Sequence, residues 1–163
     1  MKENKRGYAP FAEWVWKDFD GKKRVSFDDF VTNHPDCFFI IGTDSQNHNK
    51  KQQCVFTSVL IAYKMGKGGA VIMHRDKVPL MNALRQRLLM EAMRSLEVAW
   101  YLDSKIDDKN IIEVHLDVNT NIKWKSAQYK EELVGLIVGQ GFNNVKIKPD
   151  AFGASKCADR KCK

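Results

Sequence analysis

The sequence predicts an α/β fold with a mixed five-stranded sheet, flanked by helices and preceded by an N-terminal extension. Residues 37–41 are apolar without a break, as in a strand covered on both faces. Residues 53–63 and 70–78 have the composition of strands, and the glycine-marked turn between them predicts an antiparallel hairpin. Helical and strand patterns then alternate, which is typical of crossover connections.

Length and composition indicate one domain with a substantial core. The chain has 163 residues, of which 44% are apolar. No apolar run approaches the roughly 20 residues that a membrane span needs, and the N-terminus lacks the apolar segment of a signal peptide. We therefore expect a cytoplasmic protein.

The N-terminal extension, residues 1–36, is rich in aromatic side chains and precedes the domain proper, residues 37–163. Ser26 and Asp29 resemble a capping box, which predicts a short helix over 27–33. Two interpretations of the aromatic residues remain open: their rings pack on the core, or they offer stacking surfaces to bases. These residues are Phe11, Trp14, Trp16, Phe19, Phe27 and Phe30.

The first half of the domain is predicted to hold three strands and a long helix. The first strand covers 37–44 and ends at Asp44, and the polar stretch SQNHNKK forms the turn after it. The helix covers about 82–104, where apolar and small residues recur at helical spacing and Glu91 lies near their stripe. A surface salt bridge of Glu91 with Arg87 or Arg94 is the alternative to a functional role.

The second half predicts a strand over 111–118, a helix over 126–139, a short strand over 145–148 and a last helix from 154 to the end. Alternation in the first of these strands places Glu113, His115 and Asp117 on one face. His115 is expected to be a core histidine whose ring nitrogens are hydrogen-bonded.

Four acidic residues stand out as candidate metal ligands. The first and fourth predicted strands are parallel neighbours, and open α/β sheets place their sites at the carboxyl ends of such strands. Carboxylates that converge there repel each other unless divalent cations are present, and ligands that are all oxygen favour Mg²⁺ or Mn²⁺. The candidates are Asp44, Glu91, Asp117 and Asp159, with Asp150 as an alternative to Asp159.

The charge distribution indicates an anionic partner. The net charge is +7, and basic residues gather around the candidate acidic residues. Such an arrangement is expected where a polyanion is drawn to a metal site, nucleic acid being the usual case. The basic residues are Lys123, Lys125, Lys130, Lys146, Lys148, Lys156, Arg160, Lys161 and Lys163.

With these residues placed on their elements, the chain resembles the ribonuclease H fold. The motifs GTDSQ, DVNTN and KPDAFGASKCADR are more narrowly similar to the YkuK-type group of predicted ribonuclease H-like proteins. The resemblance covers residue 37 to the end. It implies a metal-dependent nuclease that hydrolyses phosphodiester bonds of RNA or of an RNA–DNA hybrid with two Mg²⁺ or Mn²⁺ ions.

The resemblance also implies roles for individual residues. Asp44 corresponds to the carboxylate that binds both ions, Glu91 and Asp117 to the helix and fourth-strand ligands, and Asp159 to the last ligand. Asp150 stands where such enzymes carry a loop residue, commonly histidine, that helps the product to leave. Because the residue type differs, Asp150 and Asp159 could exchange roles.

Further polar residues near these acids are candidate substrate contacts. Asn119 and Asn121 follow Asp117 closely and could bind backbone phosphate. A nucleic-acid-binding module that keeps the sheet and the basic surface without cutting is the competing hypothesis. The complete set of predicted substrate-binding residues is Ser45, Asn119, Asn121, Lys123 and Lys156.

Overall fold

The centre of the molecule is a six-stranded mixed sheet. The computed structural model describes residues 10–153, and within these residues the sheet has six strands. The sheet order is β1-β4-β3-β2-β5-β6. The strands are β1 (Lys17–Asp18), β2 (Phe38–His48), β3 (Gln53–Lys64), β4 (Gly68–Pro79), β5 (Ile112–His115) and β6 (Val145–Lys146).

Strands β2, β3 and β4 form the predicted antiparallel meander. The prediction that the first strand ends at Asp44 is wrong, because β2 continues through His48 along β3. The turn is correspondingly shorter than predicted, with a single 3-10 turn at Asn49–Lys51. The turn between β3 and β4 contains Gly66, and β4 begins at Gly68; their φ angles of 75° and 79° lie in a backbone region that glycine adopts without strain.

Parallel pairing occupies the other side of β2. Strand β5 pairs in parallel with β2, and β6 pairs in parallel with β5. The mixed sheet is thus confirmed, but the predicted count of five strands is corrected to six. The additional strand is the two-residue β1, which pairs antiparallel with β4 at the far edge. It was missed because two residues carry no periodic pattern.

Three α-helices lie in the described chain: α1 (Phe27–Thr32), α2 (Leu84–Asp103) and α3 (Lys130–Gly139). Helix α1 begins as predicted, with the Asp29 backbone N–H donating to the Ser26 hydroxyl. The predicted helix 126–139 starts instead as a 3-10 turn, Lys125–Tyr129, before α3. The predicted last helix, 154–163, lies outside the described residues. Within residues 10–153 no helix is long and apolar enough to cross a membrane.

The aromatic residues of the N-terminal extension pack on the core. Trp14 and Trp16 are only 7% and 4% exposed and belong to the same apolar cluster as Phe39, Ile41 and helix α2. The ring of Phe11 lies 4.7 Å from that of Tyr101 on α2. The structure therefore favours packing over base stacking for these rings.

One consequence of this packing is a pH-dependent stability. His74 stacks on Trp14 at 4.3 Å and contacts the Val15 carbonyl oxygen through Nδ1 at 3.1 Å. Burial lowers the pKa of His74, an effect that the Val15 carbonyl and the charge of Asp76 oppose. The folded protein therefore resists protonation at a pH where the unfolded chain accepts a proton.

We expect the contribution of His74 to the unfolding free energy to fall as the pH drops below the ordinary histidine pKa of about 6.5. The variant His74→Phe keeps the stacked ring but does not titrate, so its stability should vary less between pH 7 and pH 5. Urea unfolding of both proteins at several pH values measures this difference. Equal pH dependence in the two proteins would contradict the prediction.

Candidate metal centre

Asp44 and Asp117 lie at matching positions on neighbouring parallel strands. The last residue pair between β2 and β5 is Gly42 with His115, and each aspartate comes two residues later in its own chain segment. Neighbouring strands are about 4.8 Å apart. The predicted parallel pairing is confirmed, and it brings these two segments side by side at the carboxyl end of β5. Asp44 is 7% exposed, whereas the Asp117 side chain is 19% exposed.

Glu91 reaches the same region from helix α2. Its side chain is 7% exposed, and its Oε1 accepts a hydrogen bond of 2.5 Å from the Ser45 hydroxyl. Glu91 is buried and is therefore not the surface residue of the alternative interpretation, although the charge of Arg87 acts on it; Arg94 forms an ion pair with Asp76. Ser45, predicted as a substrate contact, instead directs its hydroxyl to Glu91 within the protein.

Electrostatics shows that the three carboxyl groups influence one another. The pKa of Glu91 lies well above its ordinary value, first because burial disfavours the carboxylate and then because Asp44 and Asp117 add negative charge nearby. The Ser45 hydrogen bond and the charge of Arg87 act in the opposite direction. Burial and these two charges therefore disfavour ionisation of Glu91, and a positive ion would relieve the same repulsion.

A chain of hydroxyl groups holds α2 in register against the sheet. The Ser95 hydroxyl donates to Thr43 Oγ1 at 2.9 Å, and Thr43 Oγ1 lies 2.9 Å from the Ser58 hydroxyl. Ser95 follows Glu91 by four residues, so both project from one face of the helix. The buried contact thus fixes the position of α2 that carries Glu91.

The chemistry of the donor set fits a hard divalent cation, because all its ligand atoms are oxygens. The described residues do not complete such a site: between residues 10 and 153, no three His, Cys, Asp or Glu side chains are grouped closely enough to hold a metal ion. The ammonium group of Lys148 forms an ion pair with Asp117 Oδ1. The predicted fourth ligand, Asp159, lies outside the described residues.

Comparison with known proteins decides the family. A family model described as ribonuclease H-like matches residues 26–163. The chain belongs to the ribonuclease H-like family. The resemblance inferred from the sequence motifs is thereby confirmed. A search of curated proteins and a search of solved structures each gave no match.

The remaining predicted residues of this ribonuclease H-like protein occupy different surroundings. Asn119 is half-buried, and its backbone N–H donates to the Ser126 hydroxyl at 3.3 Å. Asn121 and Lys123 are exposed in the loop that follows. Asp150 is exposed, and its charge acts on His115. Lys156, like Asp159, lies outside the described residues.

His115 is the predicted core histidine, and both of its ring nitrogens are engaged. Nε2 lies 2.5 Å from Glu113 Oε1, and Nδ1 accepts the Gly153 backbone N–H at 2.9 Å. A Cβ atom at Gly153 would lie only 3.1 Å from Nδ1 and from Ile40 Cγ2. The glycine of the motif KPDAFGAS thus permits the chain after β6 to close onto the sheet.

Two contacts of the candidate site were not predicted from the sequence. Lys148 was noted only as part of a basic cluster, and its pairing with Asp117 depends on the fold. The hydrogen bond from Ser45 to Glu91 requires α2 to pack on β2 so that Glu91 lies beside Ser45. Neither contact has a signal in residue spacing, because the partners are 31 and 46 residues apart.

Proposed function

We propose that this ribonuclease H-like protein is a metal-dependent nuclease that hydrolyses phosphodiester bonds of RNA or of an RNA–DNA hybrid. The observation that supports the proposal is the buried Glu91 carboxyl group, which is 7% exposed, accepts a hydrogen bond from Ser45, and has its pKa raised in part by the charges of Asp44 and Asp117. Structural carboxylates are normally paired with cations or exposed to water. Burying one within range of two others is costly, and such perturbed groups cluster at functional sites.

In the proposed reaction each residue has a defined task. Asp44, Glu91 and Asp117 would hold Mg²⁺ or Mn²⁺, with Asp159 as the proposed fourth ligand. Two such ions would lower the pKa of the attacking water and neutralise charge on the phosphate in an in-line displacement. The Ser45 hydrogen bond orients the Glu91 carboxyl group. Lys148, freed from Asp117 when that carboxylate binds a cation, would become available to a phosphate oxygen.

The variant Asp117→Asn tests the proposal directly. It preserves the size of the side chain but removes the charge that a cation requires, so cleavage should fall by at least about a hundredfold. The assay incubates labelled RNA, DNA and RNA–DNA hybrid with Mg²⁺ or Mn²⁺ and follows the products by electrophoresis. The matched control is Asp107→Asn, because Asp107 is an exposed loop residue. Undiminished cleavage by the Asp117→Asn protein would contradict the assignment.

A binding module that does not cut is the second candidate. It is favoured by the ion pair of Lys148 with Asp117 and by the lack of a complete cation site among the described residues. Both candidates predict salt-sensitive binding of nucleic acid. Only the nuclease predicts that Mg²⁺ or Mn²⁺ raises the melting temperature by mass action. For the nuclease, the rise in melting temperature should occur in the wild type and be absent in the variant Asp44→Asn. For the binding module, it should be absent in both proteins, so the two candidates are separated without an activity assay.

A further inference from the structure

The loop that leaves the candidate metal centre exposes apolar side chains to water. Ile122 is 94% exposed and Trp124 is 53% exposed, whereas Trp14 and Trp16 are buried in the core. Isolated exposed apolar residues are common, but two large ones on one short loop form a patch that indicates a binding surface. The loop starts at Asn119, two residues after Asp117.

The backbone of this loop is fixed by its own hydrogen bonds. The Trp124 backbone N–H donates to the Asn121 carbonyl oxygen at 3.1 Å, and the Ala127 N–H donates to the Trp124 carbonyl oxygen at 3.0 Å. The Asn121 side chain accepts a further bond of 3.1 Å from the Lys123 N–H. These turns orient the backbone so that Ile122, Lys123 and Trp124 all face solvent.

The positive charge of the loop indicates which type of partner it binds. Lys123 Nζ lies 5.7 Å from the centre of the Trp124 ring, and Lys125 follows directly in sequence. No acidic residue occurs between residues 118 and 130. An apolar protein partner would have to cover these ammonium groups without compensation. A nucleic acid strand instead offers both a π-face for the ring and phosphates for the lysines.

We propose that loop 119–125 binds single-stranded nucleic acid, with an unpaired base stacked on Trp124 and adjacent phosphates on Lys123 and Lys125. The inference rests on the proposed function, since it names the form of nucleic acid that the same site takes. Bases inside a duplex are stacked on one another and offer no free face to an aromatic side chain. The loop thus directs an unpaired segment of RNA or DNA toward Asp117.

The test measures binding of the full-length protein to fluorescein-labelled rU15, dT15 and a 15-base-pair duplex by anisotropy, with EDTA present to prevent cleavage. Trp124→Ala should weaken binding of the single strands by about tenfold or more, the scale of base–aromatic stacking. Trp124→Phe should retain most of the affinity. Trp100→Ala is the matched control, because Trp100 is 41% exposed on α2 and lies outside the loop. The Trp100→Ala variant should bind the single strands with the same affinity as the wild type.

The salt dependence provides a second readout. Replacing both Lys123 and Lys125 by glutamine should make the negative slope of log affinity against log salt less steep by about 1.4 for single strands, since each phosphate contact accounts for about 0.7. Unchanged single-strand binding by Trp124→Ala overturns the inference. An equal loss on single strands and on the duplex overturns it as well, since stacking on an unpaired base acts on the single strands alone.

The outcomes also separate this inference from the proposed nuclease. A wild-type protein that cuts no substrate, yet binds single strands in a Trp124-dependent manner, contradicts the nuclease and supports the loop assignment. A nuclease whose Trp124→Ala variant binds single strands normally contradicts the loop assignment alone. The comparison of rU15 with dT15 shows which sugar the site prefers, and Trp124-dependent binding of either strand supports the inference.

Discussion

Replacing Glu91 with glutamine is expected to stabilise the metal-free protein at pH 8 and to abolish the proposed nuclease activity. Glutamine has nearly the same shape, and its carbonyl oxygen can still accept the Ser45 hydrogen bond. It removes the negative charge that burial and the neighbouring Asp44 and Asp117 disfavour. Stability and activity therefore change in opposite directions, a combination that a purely structural residue would not give.

The pH dependence follows from the raised pKa of Glu91. The folded protein retains a proton on Glu91 at pH values where the glutamate of the unfolded chain, with a pKa near 4.3, has already lost it. The contribution of Glu91 to the unfolding free energy of the wild type therefore falls as the pH rises from that value toward the pKa of this residue in the folded state. Glutamine does not titrate, so the variant escapes this loss.

Urea unfolding in EDTA at pH 5 and pH 8 measures the effect. We expect the unfolding free energy of the variant to exceed that of the wild type at pH 8, and by a smaller margin at pH 5. Glu131→Gln is the control, since Glu131 is an exposed residue of α3. A Glu91→Gln protein less stable than the wild type at both pH values would contradict this account of the site.

The same variant should lose the response to Mg²⁺ or Mn²⁺. Loss of a charged ligand weakens cation binding, so the metal-induced rise in melting temperature should shrink. Cleavage should fall by about a hundredfold or more, because the stabilisation supplied by a bound cation amounts to several kcal/mol. Full activity in a stabilised variant would remove Glu91 from the proposed ligand set.

The second large effect is expected from Arg94→Met. Arg94 is 1% exposed, lies 4.2 Å above the Phe56 ring and forms a 2.8 Å ion pair with Asp76. Methionine fills part of the volume but leaves the Asp76 carboxylate largely buried without its guanidinium partner. Breaking a buried pair in this way costs about 3–5 kcal/mol. We expect a loss of this size in the free energy of unfolding.

A surface ion pair between helices α2 and α3 provides the control. Arg85 pairs with Glu132, and their side chains are 56% and 40% exposed. Exposed pairs contribute about 0–1 kcal/mol, so Arg85→Met should have little effect. Adding Asp76→Asn to Arg94→Met should recover part of the loss, because the uncompensated charge is then absent. Equal effects of the Arg94 and Arg85 variants would show that burial does not govern the Arg94 pair.

Much of the fold around the candidate site was predictable from the sequence, for reasons that particular residues illustrate. The unbroken apolar run before Asp44 indicated a central strand, and alternation in IIEVHLDV placed His115 on the face of Glu113. Both signals depend on local periodicity, which is visible in the order of the residues alone. The family followed from the motifs around Asp44, Asp117 and Gly153, and the ribonuclease H-like match over residues 26–163 confirms it.

Local sequence patterns were less informative where strand pairing or packing depends on residues that are far apart in the sequence. The polar residues Gln46, Asn47 and His48 read as a turn, yet β3 extends their strand by direct pairing. The aromatic residues Trp14 and Trp16 are expected from the sequence to pack on the core, with base stacking as the alternative, and their packing against α2 and β4 confirms the expectation. Strand β1 is stabilised by its partner β4 rather than by its own two residues.

The sequence by itself determined the α/β class, the order of the elements and the acidic residues they carry, because each follows from periodicity or from a short motif. Only the tertiary structure decided that Ser45 holds Glu91, that Lys148 neutralises Asp117 and that Arg94 is buried with Asp76. These contacts join residues between 18 and 46 positions apart. Their energies depend on burial and on the distance between charges, which arise only when the chain is folded.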